Sequence, residues 1–95
     1  MTTKITLDSV VVASGDQVSC DLGGEAAILH LKAGIYYGLD PLGTRIWNLI
    51  REPQPVKRIQ DTLLSEYEVD PEQCEDDLIA FLKKLLEADL AQIKK

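Results

Sequence analysis

The stretch from residue 26 to residue 50 constrains the fold most, because it carries signals for two strands, a tight turn and a capped helix. Residues 27–32 alternate at period two, which is typical of a strand, and Gly34 can adopt the positive φ of a hairpin turn. Aromatic residues favour a second strand over residues 35–39. Asp40 and Pro41 predict a helix start, since Asp accepts backbone N–H bonds and Pro there loses none. A hairpin should therefore lead directly into a helix, whose apolar face comprises Leu42, Ile46, Leu49 and Ile50, with Trp47 beside it.

Shorter signals upstream predict further strands. Residues 10–12 are three consecutive valines, and Val18, Cys20 and Leu22 alternate with polar residues. We therefore expect one antiparallel sheet of three or four strands within the first 39 residues, after a weakly structured tail over residues 1–9. An open sheet of this kind has two edge strands with unpaired backbone N–H and C=O groups.

Helical periodicity dominates the second half of the chain. A second helix after Pro55 should bury Val56, Ile59, Leu63 and Tyr67 on one face. Asp70 and Pro71 predict a third helix, with Gln73 placed to complete a capping box. The apolar face of this helix comprises Cys74, Leu78, Phe81, Leu82, Leu85 and Leu86. The predicted fold is α+β: a small three- to four-stranded antiparallel sheet followed by three helices, winged helix-turn-helix-like, in a single domain over residues 1–95.

Composition excludes several classes of function. The net charge of −6 disfavours a nucleic-acid partner, because affinity for phosphates depends on Lys and Arg. No apolar run approaches the roughly 18 residues that a membrane span needs, and residues 1–9 lack the apolar stretch of a signal peptide. We therefore expect a cytoplasmic protein with no membrane partner.

The residue types needed for catalysis or metal binding are sparse. His30 is the single histidine and lies on a predicted strand, where it is a structural or exposed residue. Cys20 and Cys74 should be reduced, partly buried thiols, although the sequence leaves a disulfide open. Asp76 and Asp77 occupy adjacent positions of the predicted helix, so their side chains face different directions. We interpret them as residues of a solvated helix surface. The sequence predicts no enzyme, no catalytic residue, no metal site and no cofactor.

The chain resembles the PqqD-like family over about residues 10–93. The resemblance is carried by residues 34–43 (GIYYGLDPLG) with Ile46-Trp47, and by Glu66-Tyr67 followed by Val69, Cys74, Asp77-Leu78 and Phe81-Leu82. More narrowly, the chain resembles the stand-alone leader-binding proteins of lasso-peptide biosynthesis. One departure is Asp89, where many relatives carry Gly, so the end of the third helix is open.

The resemblance implies a RiPP precursor-recognition element, which is a module that binds the N-terminal leader of a ribosomally made precursor peptide. The implied fold has a three-stranded sheet and three helices. The implied partners are the precursor leader peptide, the cysteine protease that removes it and, indirectly, the ring-closing cyclase.

An unpaired sheet edge can accept an extended peptide as one more strand. The candidate strand is residues 35–39 and the candidate helix is the third one, with an apolar slot between them. The predicted peptide-binding residues are Ile35, Tyr36, Tyr37, Gly38, Leu39, Asp77, Ala80, Phe81 and Lys84. By its spacing alone Phe81 fits the core better than a pocket, and the opposite sheet edge, residues 18–22, is an alternative docking strand.

Two other functions share this architecture. A winged-helix DNA-binding protein would use Lys57 and Arg58 of the second helix, although the acidic Asp61, Glu66 and Glu68 lie beside them. An adaptor would bind a folded partner without any leader peptide. The open strand edges also leave a homodimer or a swapped strand as an alternative.

Overall fold

Pairing divides the strands into two antiparallel sheets of three strands each in the computed structural model, which describes residues 5–94. The terminal sheet consists of β1 (Val10–Ala13), β5 (Gln54–Pro55) and β6 (Ala91–Lys94), in the order β5-β1-β6. The hairpin sheet consists of β2 (Gln17–Asp21), β3 (Ala26–His30) and β4 (Ile35–Gly38), in the order β2-β3-β4. The helices are α1 (Pro41–Leu49), α2 (Val56–Glu66) and α3 (Pro71–Glu87). The predicted α+β class with three helices is therefore confirmed.

The prediction that all strands form one sheet is wrong for β1. Val11 pairs with Ile93 on one side and with Gln54 on the other, rather than with β2. This arrangement leaves Val11 fully buried between two short partner strands. The last residues of the chain gave only a weak strand signal, because the alternation of Leu90, Ala91 and Ile93 is too short to separate a strand from a helix end.

Both Asp-Pro helix starts are confirmed. Asp40 Oδ1 accepts the Gly43 N–H at 2.7 Å, and Asp70 Oδ2 accepts the Gln73 N–H at 3.3 Å. The predicted reciprocal bond of a capping box is absent from α3, because the Gln73 side chain donates to Asp77 Oδ1 instead, at 2.9 Å.

Two predicted core positions are exposed. Leu42 in the first turn of α1 and Tyr67 just after α2 both face solvent. Each lies at the end of an amphipathic pattern, beyond the part of the helix that packs against the core. The core is formed by residues of every layer, among them Val11, Ile28, Trp47, Ile50, Ile59, Leu78, Leu82 and Leu90.

A buried hydrogen bond attaches α1 to the hairpin sheet. The backbone N–H of Ala26 donates to Thr44 Oγ1 at 2.8 Å, and the neighbouring carbonyl of Ala26 accepts the N–H of Leu39. A buried N–H without an acceptor would cost about 1–3 kcal/mol, so this pairing favours one position of α1 on β3.

The C-terminus of α3 is a Schellman motif. The N–H of Leu90 donates to the Leu85 carbonyl at 2.9 Å, and the N–H of Asp89 donates to the Leu86 carbonyl at 3.1 Å. Asp89 therefore adopts a left-handed conformation with φ of 60°, which Gly would adopt with less strain. Its carboxylate lies 3.4 Å from Nε2 of the buried His30. His30 Nδ1 in turn accepts the N–H of Ala33, so this histidine is structural.

An ion pair connects α1 with the end of α2. The Arg45 guanidinium makes two hydrogen bonds to the Glu66 carboxylate, at 3.0 and 2.7 Å. The bond from Arg45 lowers the pKa of Glu66 below its ordinary value.

The described part of the chain contains two free thiols, Cys20 and Cys74. Cys74 is half-buried as predicted, but Cys20 is exposed, because it lies on the face of β2 that points away from the core. Among the helices of residues 5–94, none is long and apolar enough to cross a membrane.

The predicted N-terminal tail falls partly outside the described residues, since residues 1–4 are not described. Residues 5–9 form no helix or strand, yet Ile5 is buried and the N–H of Ser9 closes a turn on the Thr6 carbonyl. A single domain over residues 1–95 stays a prediction.

Replacing Asp89 tests the Schellman motif. Asp89→Ala should be less stable than Asp89→Gly by about 1 kcal/mol, because a Cβ disfavours the left-handed conformation. Both variants lose the contact with His30, so their difference isolates the backbone effect. Urea unfolding followed by circular dichroism measures it, and equal midpoints would contradict the assignment.

Replacing Glu66 tests the ion pair. Because the folded pKa of Glu66 is lowered, its stabilising effect should be complete above the ordinary pKa of 4.5 and lost as the pH falls through the folded pKa. Glu66→Gln should therefore destabilise the protein at pH 7 and have little effect once the pH lies below the folded pKa. Glu68→Gln, which removes the same charge from an exposed position, is the control. Equal effects of both variants at pH 7 would exclude a contribution from the pair.

Candidate functional site

The β4 strand is an edge of the hairpin sheet, with β3 on one side and no strand of residues 5–94 on the other. The backbone bonds show which of its groups are unpaired. The N–H of Leu39 donates to the Ala26 carbonyl on β3. On the other side of β3, the N–H of Leu31 donates to the Asp16 carbonyl next to β2, and the N–H of Leu22 donates to the Glu25 carbonyl in the turn that joins β2 to β3. Antiparallel bonding alternates at period two, so Ile35 and Tyr37 also bond to β3. The N–H and C=O groups of Tyr36 and Gly38 therefore point to the open edge.

A groove lies between this edge and α3. Its walls are apolar apart from Asp40 and Lys84, and its volume is about 590 Å³. We call it the edge groove; it is lined by Tyr37, Gly38, Leu39, Asp40, Phe81, Lys84, Leu85, Ala88 and Leu90. The unpaired backbone groups of β4 thus border the apolar edge groove, which has space for the side chains of an extended peptide.

A second cavity lies between α1, α3 and the connection that joins α2 to α3. It has a volume of about 330 Å³ and walls that are mostly apolar. We call it the helix cavity; it is lined by Asp40, Leu42, Gly43, Ile46, Leu63, Tyr67, Val69, Gln73, Cys74, Asp77, Leu78 and Phe81. This cavity explains the exposure of Leu42 and Tyr67, which form part of its rim.

Phe81 separates the two cavities, because it contributes to the wall of each. Asp40 also lines both cavities. The ring rests on α1 at Gly43, where an added Cβ would lie 3.2 Å from ring atoms Cε1 and Cζ and 3.0 Å from Asp40 Oδ1. A larger residue at position 43 would displace the Phe81 ring or the Asp40 carboxylate that caps α1. The absence of a side chain at Gly43 therefore sets the boundary between the edge groove and the helix cavity.

The structure brings most of the predicted peptide-binding residues together. Tyr37, Gly38, Leu39, Phe81 and Lys84 line the edge groove, and Asp77 lines the helix cavity. Ile35, Tyr36 and Ala80 are exposed and line neither. Tyr36 pairs with Leu29 on the face of the sheet opposite to Tyr37, so its side chain cannot share the groove.

Sequence reasoning missed the far wall of the groove and nearly all of the helix cavity. Leu85 belongs to the predicted apolar face of α3, and no pattern in the sequence marks Ala88 or Leu90 as groove residues. Val69, an apolar residue between the predicted second and third helices, was the available signal for an apolar surface, whereas Leu42 belongs to the predicted apolar face of α1. Which helix ends meet there depends on tertiary packing.

The electrostatics of the site are mixed. Asp40 and Asp77 border the helix cavity, whereas Lys84 lies at the edge groove. Burial, with the nearby charge of Asp77 adding to it, raises the pKa of the Cys74 thiol and so disfavours its reactive thiolate. Within residues 5–94, no group of three or more His, Cys, Asp or Glu side chains could hold a metal ion.

Comparisons with known proteins agree with this geometry. Residues 25–91 match the family model described as coenzyme PQQ synthesis protein D (PqqD). The structure of TbiB1 in complex with the TbiA(beta) leader peptide is 38% identical in sequence, with a TM-score of 0.81 over 85% of this chain and 94% of that one. The structure of a lasso peptide synthetase B1 complexed with the leader peptide is 21% identical, and its TM-score of 0.78 over 86% of this chain and 96% of that one shows the shared fold. No curated protein matches the chain. From the extent of the family match and the identity to TbiB1, this chain belongs to the PqqD family.

Proposed function

We propose that this protein binds the leader segment of a ribosomally made precursor peptide, of the lasso-peptide class, by adding it as a strand to β4. The observation that carries the proposal is the open edge of β4, where the backbone groups of Tyr36 and Gly38 point outward beside an apolar groove. The solved relative TbiB1, which is 38% identical, is complexed with a leader peptide.

The opposite edge of the sheet, β2, offers less to a peptide. Residues of β2 line neither the edge groove nor the helix cavity. Arg51 also contacts a side chain of β2, since its Nη2 donates to Ser19 Oγ at 2.6 Å. A peptide on β2 would form backbone bonds without pockets for its side chains, so β4 is the preferred docking strand.

Backbone pairing alone would bind weakly. The two N–H and two C=O groups of Tyr36 and Gly38 can form four hydrogen bonds, which at about 1 kcal/mol each correspond to roughly millimolar affinity. Ordering a flexible peptide lowers this further. Before this ordering cost, burial of two apolar side chains at about 2 kcal/mol each would bring the affinity near micromolar. The edge groove and the helix cavity provide the space for these two side chains.

We propose that the leader pairs antiparallel to β4. A strand antiparallel to β4 begins at the Gly38 end, where the edge groove meets the helix cavity at Asp40 and Phe81. An apolar anchor in the helix cavity would therefore precede the paired segment in the leader. The proposed contact residues remain Ile35, Tyr36, Tyr37, Gly38, Leu39, Asp77, Ala80, Phe81 and Lys84, with the charges of Asp77 and Lys84 selecting among leaders.

The bound leader is then delivered to the enzymes that act on the precursor. We infer that these partners are a leader-removing cysteine protease and, indirectly, a ring-closing cyclase, while the protein itself catalyses no step. Its role is to hold the leader in a defined, extended conformation.

Replacing Tyr36 by proline tests the docking strand. Proline removes the outward N–H at this position and leaves the bonds between β4 and β3 intact, which an edge strand tolerates. Leader affinity, measured by fluorescence polarisation with a labelled synthetic leader peptide, should fall about fivefold to tenfold relative to Tyr36→Ala.

Tyr36→Ala is the matched control, because it removes the same side chain and keeps the backbone donor. Circular dichroism and thermal unfolding should show that both variants remain folded. Equal leader affinity of the two folded variants would exclude pairing at β4.

Alkylation of the thiols tests the helix cavity. The raised pKa and partial burial of Cys74 should make it react more slowly with iodoacetamide at pH 8 than the exposed Cys20. Saturating leader should slow Cys74 further, at least fivefold, and leave Cys20 unchanged, as measured by peptide mass spectrometry. Unchanged labelling of Cys74 by a bound leader would contradict an anchor in this cavity.

A further inference from the structure

His30 is a buried polar residue at the end of β3, next to the turn that leads into β4. Its Nδ1 accepts the N–H of Ala33 at 3.1 Å, and its carbonyl accepts the N–H of Gly34 at 2.8 Å. A neutral imidazole carries one hydrogen, so the acceptor role of Nδ1 places that hydrogen on Nε2. The turn therefore fixes the ring, and the remaining donor of the ring faces Asp89 Oδ2 at 3.4 Å.

Asp89 is held by the end of α3 and by the chain that follows β1. Its N–H donates to the Leu86 carbonyl, and its own carbonyl accepts the Ser14 hydroxyl at 3.1 Å. Its φ of 60° is a conformation that is unfavourable for residues other than Gly. Because this strained residue directs its carboxylate toward a buried donor, the contact with His30 indicates a function beyond the cap itself.

His30 and Asp89 belong to opposite walls of the edge groove. Ala88 and Leu90, the two neighbours of Asp89, line the groove on the side of α3. His30 pairs with Ile35 at the start of β4, and β4 forms the other wall. Neither His30 nor Asp89 lines the groove, so their contact connects its walls without occupying the site.

This contact is the one polar connection between the two walls. Among the hydrogen bonds of residues 5–94, it alone joins β3 or β4 to α3 or to the cap that ends α3. The bond between Ala26 and Thr44 attaches the hairpin sheet to α1 instead. Apolar packing is non-directional and leaves small displacements of a helix inexpensive, whereas a hydrogen bond favours one separation of the two walls.

We propose that His30 and Asp89 are positioning residues for the leader, because their contact fixes the distance between β4 and the C-terminal end of α3. This inference rests on the proposed leader-binding function and adds two residues to it that do not touch the peptide. Walls that are already fixed lose less freedom when an extended peptide enters the groove, so the contact raises leader affinity. The Asp89 side chain is 77% exposed and its bond to His30 is long, so the gain in affinity is several-fold.

Two neutral replacements of Asp89 separate the contact from the charge. Asp89→Asn removes the charge and keeps a side-chain oxygen that can accept the Nε2 hydrogen, whereas Asp89→Gly removes the acceptor as well. Asn and Gly both tolerate the left-handed conformation, so the two variants should unfold at similar temperatures. The probe is a labelled synthetic peptide with the sequence of the TbiA(beta) leader, which is the ligand in the TbiB1 complex. Fluorescence polarisation should show about fivefold weaker binding for Asp89→Gly and binding within twofold of wild type for Asp89→Asn.

A loss of affinity without a loss of stability distinguishes positioning from a general loss of structure. Equal affinities of Asp89→Gly and Asp89→Asn would overturn the inference, because the acceptor would then have no effect of its own. So would weaker binding by Asp89→Gly that is accompanied by a clearly lower unfolding temperature than that of Asp89→Asn.

A second measurement detects the contact in the free protein. Nitrogen-15 NMR of the wild-type imidazole should show the hydrogen of His30 on Nε2, and the Ala33 amide should exchange with solvent several-fold faster in Asp89→Gly than in Asp89→Asn. A hydrogen on Nδ1, or equal exchange rates in the two variants, would overturn the inference. Failure of the wild-type protein to bind the peptide would instead contradict the proposed function, while the NMR result still decides whether the two walls are connected.

Discussion

The hydrogen bond from the Ala26 N–H to Thr44 Oγ1 is the constraint on which the arrangement of the site depends. Thr44 Oγ1 accepts this N–H at the point where backbone pairing between β3 and β4 would otherwise continue. The chain can therefore leave the hairpin sheet after Gly38 and begin α1 at Pro41, with Asp40 as its cap. Since α1 turns away from the sheet here, β4 remains an edge strand. The same turn places Asp40 where the edge groove meets the helix cavity.

Helix α3 completes the site because its two sides differ in function. Leu78, Leu82 and Leu85 are buried in the core, while Phe81 and Lys84 on the adjacent side face the groove. The Schellman motif at Asp89 then directs the chain into β6, which pairs with β1 and holds the end of α3 in place. The groove is therefore bounded on one side by a hairpin and on the other by a helix whose two ends are both fixed. Such a preformed site lowers the ordering cost of binding a flexible peptide.

Much of the secondary structure and part of the site followed from local chemistry. The Asp-Pro helix starts, the positive φ of Gly34 and the strand over Ile35–Gly38 each depend on only a few neighbouring residues. The PqqD resemblance, carried by residues such as those at 34–43, was likewise available from the sequence and is confirmed by the family match. The sheet pairing of β1 was not predictable in this way, because its partners lie more than 40 positions away in β5 and more than 75 positions away in β6. The helix cavity was missed for the same reason, since it exists only where the ends of three elements meet.

The sequence by itself determined where the three helices and the first four strands begin, which helix faces are apolar and that the protein carries few reactive groups. These properties depend on residue type and short-range periodicity, which the chain specifies locally. Tertiary structure alone decided that Tyr36 and Gly38 present their backbone groups to the open edge, that Phe81 separates two cavities, and that the outer face of the sheet stays uncovered. Each of these depends on the pairing partner of a strand or the packing of a helix, and those are set by the balance of contacts across the whole fold.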